Sequence, residues 1–350
     1  SCTLNYPAVP QTGLARQPEI IRDPATDTAS MTVSVLIYNV AGLPWPVGCG
    51  KKSRNLDLHG ERIPIACNRS AALKDIGDVL GELRRQGNEP DVVMVQEAFI
   101  SAAAEIPERG GYPNWVAGPG YRDLGLKYSE RASQDFIDER SFWKGEKFGK
   151  RQSSGLLLAS NFPIVKHYNH AFNQWECGGY DCLANKGLLV AELEIPGLPD
   201  TLAVATTHYN ARRSTGVSNE RALMAHNLQV ASANAFLNSL GRDFLPFIWG
   251  GDLNMRHAPD RIQYFVDDVG DKLNEVSSFC IDPNTECEVR IQWDTDKPWF
   301  ETQDLQGWVS GARVHIEPVR VEAMFEDPVD GIMPSDHDGL LVYYRLSWSE

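Results

Sequence analysis

No apolar run in this sequence approaches the roughly 18–20 residues that a membrane span needs. Positive charge is scarce: 33 Lys and Arg stand against 47 Asp and Glu, a net charge of −14. Nucleic-acid binders are usually basic, because phosphate contacts need Lys and Arg, so this balance argues against a nucleic-acid partner. There is no internal repeat, no low-complexity run and no break in composition that would mark a second domain. Collagen, coiled-coil and disordered classes are excluded by a composition that is 42% hydrophobic and 23% charged. Two tight cysteine pairs of the kind a four-cysteine zinc site needs are also missing.

What is present suits a large globular chain. A length of 350 residues allows two domains or one big layered domain. Residues 1–30 hold three prolines before position 20 and no apolar periodicity, which predicts an extended N-terminal arm before a single domain over 31–350. Six of the seven cysteines fall into local pairs: Cys49 with Cys67, Cys177 with Cys182, and Cys280 with Cys287. Such pairs fit disulfides formed in an oxidising compartment; free thiols of a cytosolic protein are the alternative. Cys2 is left over, followed by a polar, proline-containing stretch. It is similar to a bacterial lipoprotein anchor site on a chain already trimmed, with an incidental cysteine in a loose tail as the alternative. The expected location is therefore secreted, periplasmic or at the cell surface, with Cys2 as the point of lipid anchoring.

Along the chain, a hydrophobic strand repeatedly ends on a polar, chemically able residue. Thr32 to Val40 reads as a strand ending at the turn Ala41-Gly42-Leu43-Pro44. Residues 48–68 read as a polar loop, and Ser70 to Gln86 as a helix with an apolar face. Asp91 to Glu97 is a buried strand ending on an acid. Residues 101–152 read as an irregular excursion with a short helix. Strands are predicted at Gly155 to Ala159, Lys186 to Glu194, Thr201 to Thr207, Phe244 to Trp249, Arg313 to Pro318 and Leu340 to Leu346. Ser218 to Leu240 is the longest helical pattern. Strand tips in a layered α/β protein are where a rigid scaffold presents chemistry to solvent.

Five tips stand out: Asn39; Glu97; His208 with Asn210; Asp252 with Asn254; and Asp336 with His337. Glu97 and Asn39 are hard oxygen donors, suited to Mg2+ rather than zinc. A histidine beside a carboxylate can serve as a general base near neutral pH. Asn and a second His can donate hydrogen bonds to phosphoryl oxygens. Together they suit attack of water on a phosphate ester. Singly, each has a plainer reading, as a turn or cap residue or a core histidine.

Taken in order, five blocks resemble the signature segments of the endonuclease/exonuclease/phosphatase superfamily. They are Tyr38-Asn39-Val40-Ala41-Gly42-Leu43-Pro44, Val95-Gln96-Glu97-Ala98-Phe99, Thr207-His208-Tyr209-Asn210, Gly250-Gly251-Asp252-Leu253-Asn254 and Ser335-Asp336-His337-Asp338. The resemblance spans roughly residues 32–346. Ser154 to Ile164, and the segment Cys177 to Gly187 with Asp181 and Lys186 five residues apart, resemble the neutral sphingomyelinase branch.

The resemblance implies a deoxyribonuclease I-like four-layer α/β sandwich, two mixed β-sheets packed face to face with helices outside. It implies Mg2+-dependent phosphodiester hydrolysis, Mn2+ or Co2+ being able to substitute. The substrate class it implies is sphingomyelin or a related phospholipid, cut in the phospholipase C manner by a monomer with peripheral membrane contact. Glu97 is then the principal metal ligand, with Asn39 and Asp336 beside it. His337 is the base, oriented by Asp304; Asp252 orients water; Asn254 and His208 hold phosphoryl oxygen. Asn210, Lys186 and Asp181 line the substrate side. Trp45 and the stretch Phe172 to Trp175 supply either interfacial aromatics or packing, and Lys51, Lys52, Arg54, Arg62 and Arg69 either meet anionic head groups or form a merely soluble loop. The alternatives are a secreted nuclease, an inositol-phosphate phosphatase, which would want a denser Lys/Arg cluster around the site than is visible, and a non-catalytic binding module on the same fold.

Overall fold

The structure, a computed structural model, describes residues 11–125, 132–241, 245–270 and 274–350. Cys2 and the start of the arm lie outside the described residues.

Sixteen strands are described: β1 (Ile21–Asp23), β2 (Thr28–Gly42), β3 (Lys52–Leu56), β4 (Arg62–Pro64), β5 (Val92–Ala98), β6 (Asn114–Ala117), β7 (Leu157–Ser160), β8 (Ile164–Ala171), β9 (Gly187–Leu193), β10 (Leu202–His208), β11 (Phe247–Asp252), β12 (Asn274–Glu275), β13 (Glu288–Arg290), β14 (Asp304–Val309), β15 (His315–Met324) and β16 (Gly339–Ser349). The helices are α1 (Arg69–Arg85), α2 (Glu105–Gly110), α3 (Gln134–Asp138), α4 (Asn219–Ser239), α5 (Pro259–Val269), α6 (Val276–Cys280) and α7 (Pro298–Glu301).

One sheet runs β13-β15-β16-β2-β5-β7-β6, with β1 also paired to β2; the other runs β12-β14-β11-β10-β9-β8. Both are mixed. β2 lies parallel to β5 and β10 parallel to β11, while β16 and β14 join them antiparallel. The inner faces meet in one core: Val33, Val35 and Ile37 of β2 pack with Leu189 and Ala191 of β9 and Val204 of β10. The other face of β2 is equally apolar, because Leu36, Tyr38 and Val40 lie under Leu73, Ile76 and Leu80 of α1. A central strand buried on both faces reads as a nearly continuous hydrophobic run. On the far side, Val230, Ala233 and Phe236 of α4 and Phe265 of α5 cover the second sheet. The protein is thus a four-layer α/β sandwich, two mixed sheets face to face with helices outside.

α1 begins where Asn68 caps it, its side chain accepting from Ala71 N at 3.2 Å. Ser218 caps α4 in the same way through Arg221 N. All three cysteine pairs form disulfides, Cys49–Cys67, Cys177–Cys182 and Cys280–Cys287.

Three sequence readings need revision. The polar loop 48–68 contains the hairpin β3–β4, whose turn is tied by Asp57 Oδ1 accepting from His59 N and Glu61 N. Polar residues dominate there because only Ser53, Ile63 and Ile65 face inward. Residues 11–30 run along the domain: Gln11 is buried and exchanges hydrogen bonds with the Trp115 backbone. The strands β8 and β14 and helix α5 were not foreseen. β14 holds Asp304, Gln306 and Gly307, whose polarity hides the strand pattern, and Pro259 marks the start of α5.

Two histidines are buried in the layer between α4 and its sheet. His226 sits with Nε2 at 2.9 Å from Leu253 O, and His170 Nε2 lies 2.9 Å from Ser232 Oγ. Burial pushes their pKa values down, to about 3 and about 4. Each folded pKa lies below the unfolded value, so its contribution is complete above about pH 6.5 and is lost as pH falls towards the folded value. A His226→Gln variant keeps a donor for Leu253 O and removes the titration. Between pH 6.5 and 4, urea unfolding should show wild type losing stability relative to this variant by about 1.4 kcal/mol per pH unit. A constant difference across that range would refute the assignment.

Candidate active site

The two sheets bring their chemical tips to one edge. β2 and β5 run parallel with Asn39 opposite Gln96, so Asn39 and Glu97 emerge together. β10 and β11 also run parallel, with His208 opposite Asp252. β14 is antiparallel to β11 and starts at Asp304, directly across from Asp252. β16 is antiparallel to β2, so the residues just before its start, Asp336 and His337, return to the Asn39 end. The Gly250-Gly251 pair has a steric cause. A Cβ on Gly251, at φ +153°, would lie 2.0 Å from Thr207 O, so only glycine lets β10 and β11 close here.

Asp252 is the hub and is 1% exposed. Its Oδ2 accepts from Asn39 Nδ2 at 3.0 Å and from Gln303 Nε2 at 3.2 Å; its Oδ1 accepts from Asn254 N. His337 Nδ1 sits 2.7 Å from Asp304 Oδ2, which fixes the ring and leaves Nε2 towards Gln303, at 3.3 Å, and Asp252 Oδ2, at 3.8 Å. Burial opposes charge on His337, but the Asp304 carboxylate, then Asp252, outweighs it and raises the pKa to about 9. Burial, reinforced by Asp304, raises Asp252 to about 6.

Glu97 and Asp336 flank the Lys51 ammonium, which donates to Asp336 Oδ2 at 3.0 Å. Glu97 Oε2 and Asp336 Oδ1 are buried oxygens with no hydrogen-bond partner. Buried carboxylate oxygens without partners are costly unless a cation meets them. Two hard anionic oxygens fit Mg2+, which takes one or two carboxylates and completes its shell with water and phosphate, whereas Asn39 Oδ1 already accepts from Ala41 N at 3.1 Å. Asp252, Asp304 and His337 also offer one ligand atom each within 4.8 Å of one another. Several of their atoms are already engaged by Asn39, Gln303 and each other, so the Glu97 and Asp336 side suits the cation better.

Glu97 adopts φ +57°. A left-handed backbone at a residue with a Cβ stores about 1–2 kcal/mol, and such strain gathers at functional sites. Glu97→Gly should therefore raise metal-free stability by about 1 kcal/mol while abolishing any response to Mg2+. Paired urea curves and Mg2+ titrations check both halves; a less stable variant that still responds to Mg2+ would overturn the reading.

His208 is buried, its Nε2 3.5 Å from Asp252 Oδ2 and its Nδ1 without a partner. Burial, then the Lys186 ammonium and His337, hold it well below the usual histidine range, so it is neutral. Asn254 donates from Nδ2 to Tyr209 O at 3.0 Å and stays partly accessible, at φ +53°. Asp181 and Lys186 pair at 2.7 Å, and Lys186 is only 4% exposed. Lys186 also donates to Tyr209 O and Asp181 accepts from Ala211 N, so the pair braces the His208 loop from behind. Asn210 is fully buried, its Oδ1 accepting from Gly178 N and its Nδ2 donating to Ala211 O, so its side chain ties the Cys177–Cys182 loop down.

The sequence reading missed three residues. Gln303 bridges Asp252 and His337. Arg69, read from sequence as either a head-group contact or part of a soluble loop and not as a clamp, is buried and donates to Val40 O, Ala41 O, Ala66 O and Pro334 O, gathering the backbone behind Asn39 and Asp336. Arg261 does the same for the Asn210 and Asn254 loops. No local signal marks them, because their partners lie up to 265 residues away in sequence. Of the aromatics, Trp45 is 80% exposed, whereas Phe172 is buried and Trp175 is covered by the Arg140 guanidinium.

No family model matches the chain. It is 27% identical over 237 residues, 67% of its length, to a curated sphingomyelinase of Mycobacterium bovis, and spans 36% of that relative's length. Among solved structures, sphingomyelinase C from Streptomyces griseocarneus superposes with TM-score 0.57 at 18% identity, covering 89% of this chain and 99% of that one. An endonuclease/exonuclease/phosphatase protein from Beutenbergia cavernae gives TM-score 0.55 at 16% identity, covering 90% and 72%. The fold is that of the endonuclease/exonuclease/phosphatase proteins. A beta toxin variant of Staphylococcus aureus solved with bound magnesium ions shares that fold, at TM-score 0.54 and 15% identity over 91% of this chain and 99% of that one. No helix among the described residues is long and apolar enough to cross a membrane.

Proposed function

We propose that this protein is a Mg2+-dependent phosphodiesterase that makes a phospholipase C type cut in sphingomyelin or a related phospholipid. The observation that carries the reading is the single cluster in which His337 is held by Asp304 and faces Asp252, beside two unpartnered carboxylate oxygens.

In its neutral form, which the Asp304 and Asp252 carboxylates confine to about pH 9 and above in the metal-free protein, His337 Nε2 takes a proton from a water held by Asp252. The water oxygen bonds to phosphorus as the bond from phosphorus to the lipid alcohol oxygen breaks, and the alkoxide leaves with a proton from solvent. Asp304 stabilises the imidazolium that forms. Asn254 and neutral His208 donate to the phosphoryl oxygens as their charge grows. Glu97, Asp336 and Asn39 would hold Mg2+, which when bound supplies a Lewis acid for those oxygens and the leaving oxygen. The three disulfides support an extracytoplasmic location, since such bonds persist in oxidising compartments. Residues 31–350 act as one catalytic domain, and exposed Trp45 at the rim supports peripheral contact with a lipid surface.

The test is a side-by-side assay at fixed low salt, with Mg2+ and then with chelator. The substrates are sphingomyelin, phosphatidylcholine, a phosphatidylinositol monophosphate, supercoiled plasmid and a soluble inositol polyphosphate. Chelator-sensitive release of a phosphorylated head group from lipid is expected. Plasmid nicking without lipid cleavage, or silence on every substrate, would overturn the reading.

A further inference from the structure

Four arginines that are scattered in the chain gather beside the site. Arg54 lies on β3 next to Asn55, whose Nδ2 donates to Asp338 Oδ1 at 2.8 Å, and the Arg54 charge acts on His337 and Asp338. Arg62 lies on β4, where Leu56 pairs with it across the hairpin. Arg256 stands two residues after Asn254, and Arg212 two after Asn210. Arg212 Nη1 donates to His257 O at 2.9 Å, which joins these two loops. Arg256 Nε is buried with no hydrogen-bond partner. Arg54, Arg62 and Arg256 make no ion pair among the described residues. The nearby acid Glu301 is occupied by His257 Nε2 at 2.5 Å. Burial, then the Arg54 guanidinium, push the Arg256 pKa down; Arg62 and Arg212 add to this and Glu301 opposes it.

A chain of net charge −14 thus gathers the charges of Arg54, Arg62 and Arg212 around Arg256. Repulsion of this kind is tolerated where an anionic ligand relieves it, and a guanidinium fork matches phosphate oxygens. The scissile phosphate already has His208, Asn254 and the cation site. Arg212 and Arg256 stand on the loops that follow His208 and Asn254, and Arg54 and Arg62 on the β3–β4 hairpin. We propose that Arg54, Arg62, Arg212 and Arg256 form a subsite for a second anionic group, so that the favoured head group bears a phosphomonoester besides the scissile diester. Phosphocholine brings a cation to these positions and is disfavoured. The inference rests on the phosphodiesterase reading and names its substrate class.

The test compares kcat/KM for a phosphatidylinositol monophosphate, phosphatidylinositol and sphingomyelin in neutral detergent micelles at equal surface fraction with Mg2+. The monophosphate should exceed phosphatidylinositol by about ten-fold or more, the value of one good charge-assisted contact. In the double variant Arg54→Gln, Arg256→Gln that ratio should fall towards one. A ratio of one in wild type, or an unchanged ratio in the variant, overturns the subsite. With wild type alone, an inositol bisphosphate should inhibit competitively about ten-fold better than phosphocholine, and equal inhibition overturns it without any variant. Soluble glycerophosphoinositol monophosphate and its unphosphorylated counterpart separate head group from surface. The same preference in solution supports the subsite; preference confined to micelles assigns it to surface charge and overturns it. Faster cleavage of plasmid than of any lipid also overturns it, in favour of a nucleic acid. If no phosphodiester is hydrolysed, the phosphodiesterase reading itself falls, whereas lipid cleavage without preference sinks the subsite alone.

Discussion

Replacing His337 with alanine should lower kcat by about 10²–10⁴-fold, the range for loss of a positioned general base. The effect is large because no neighbour can replace it. Asp252 is occupied by Asn39 and Gln303, His208 is held neutral 3.5 Å from the same carboxylate, and Asp304 approaches only through His337. The variant should still fold, since His337 contributes no core packing. Its thermal midpoint should fall moderately, because Asp304 loses its partner while 7% exposed. Steady-state assays on the best lipid substrate, with circular dichroism as the control for folding, decide the matter. Activity within ten-fold of wild type would show that another group takes the proton.

Arg261→Met should destabilise the protein by about 3–5 kcal/mol, the cost of dismantling a buried charged network. Arg261 is 2% exposed, and its guanidinium donates to Asn210 O at 2.7 Å, Asn254 O at 3.0 Å, Ala222 O at 3.1 Å and Ala211 O at 3.3 Å. Burial, then the nearby Arg212, push its pKa down to about 10, so it stays charged at neutral pH. Methionine fills much of the volume but takes away the donor that reaches Asn210 O and Asn254 O. Arg261→Lys should also fail, since one ammonium cannot span four carbonyls from three segments. Activity should fall with stability, because the same carbonyls hold the loops that carry Asn254 and follow His208. Denaturant midpoints measure the first effect and kcat below the transition the second. A Met variant as stable as wild type would mean that water satisfies the carbonyls.

Both predictions turn on a division visible in particular residues. The strand β2 was legible because Val33, Val35 and Ile37 alternate with Leu36 and Tyr38, and α1 because Leu73, Ile76 and Leu80 recur at helical spacing. Each strand tip also has a local cause that shows in sequence: the Gly250-Gly251 pair before Asp252, or the Ala41-Gly42-Leu43-Pro44 turn after Asn39. The hairpin β3–β4 was not legible, since its residues face solvent and bury too little to leave an apolar pattern. Asn210 looked like a site residue because it follows His208 by two, yet its amide is consumed by Gly178 N and Ala211 O.

The sequence by itself determined which strands are buried, which chemical groups stand at their tips, and which cysteines are close enough to pair. Those are consequences of local spacing, and spacing is what a linear chain displays. Only the tertiary structure decided that Asp304 meets His337, that Lys186 is spent on Asp181, that Arg69 and Arg261 clamp loops, and that Arg54, Arg62 and Arg212 gather near Arg256. Strand register across two sheets sets these contacts, and register depends on how the two hydrophobic faces match when they close. Basic residues therefore gather around Arg256 in a chain whose net charge is −14, because folding sorts by position what composition can only add up.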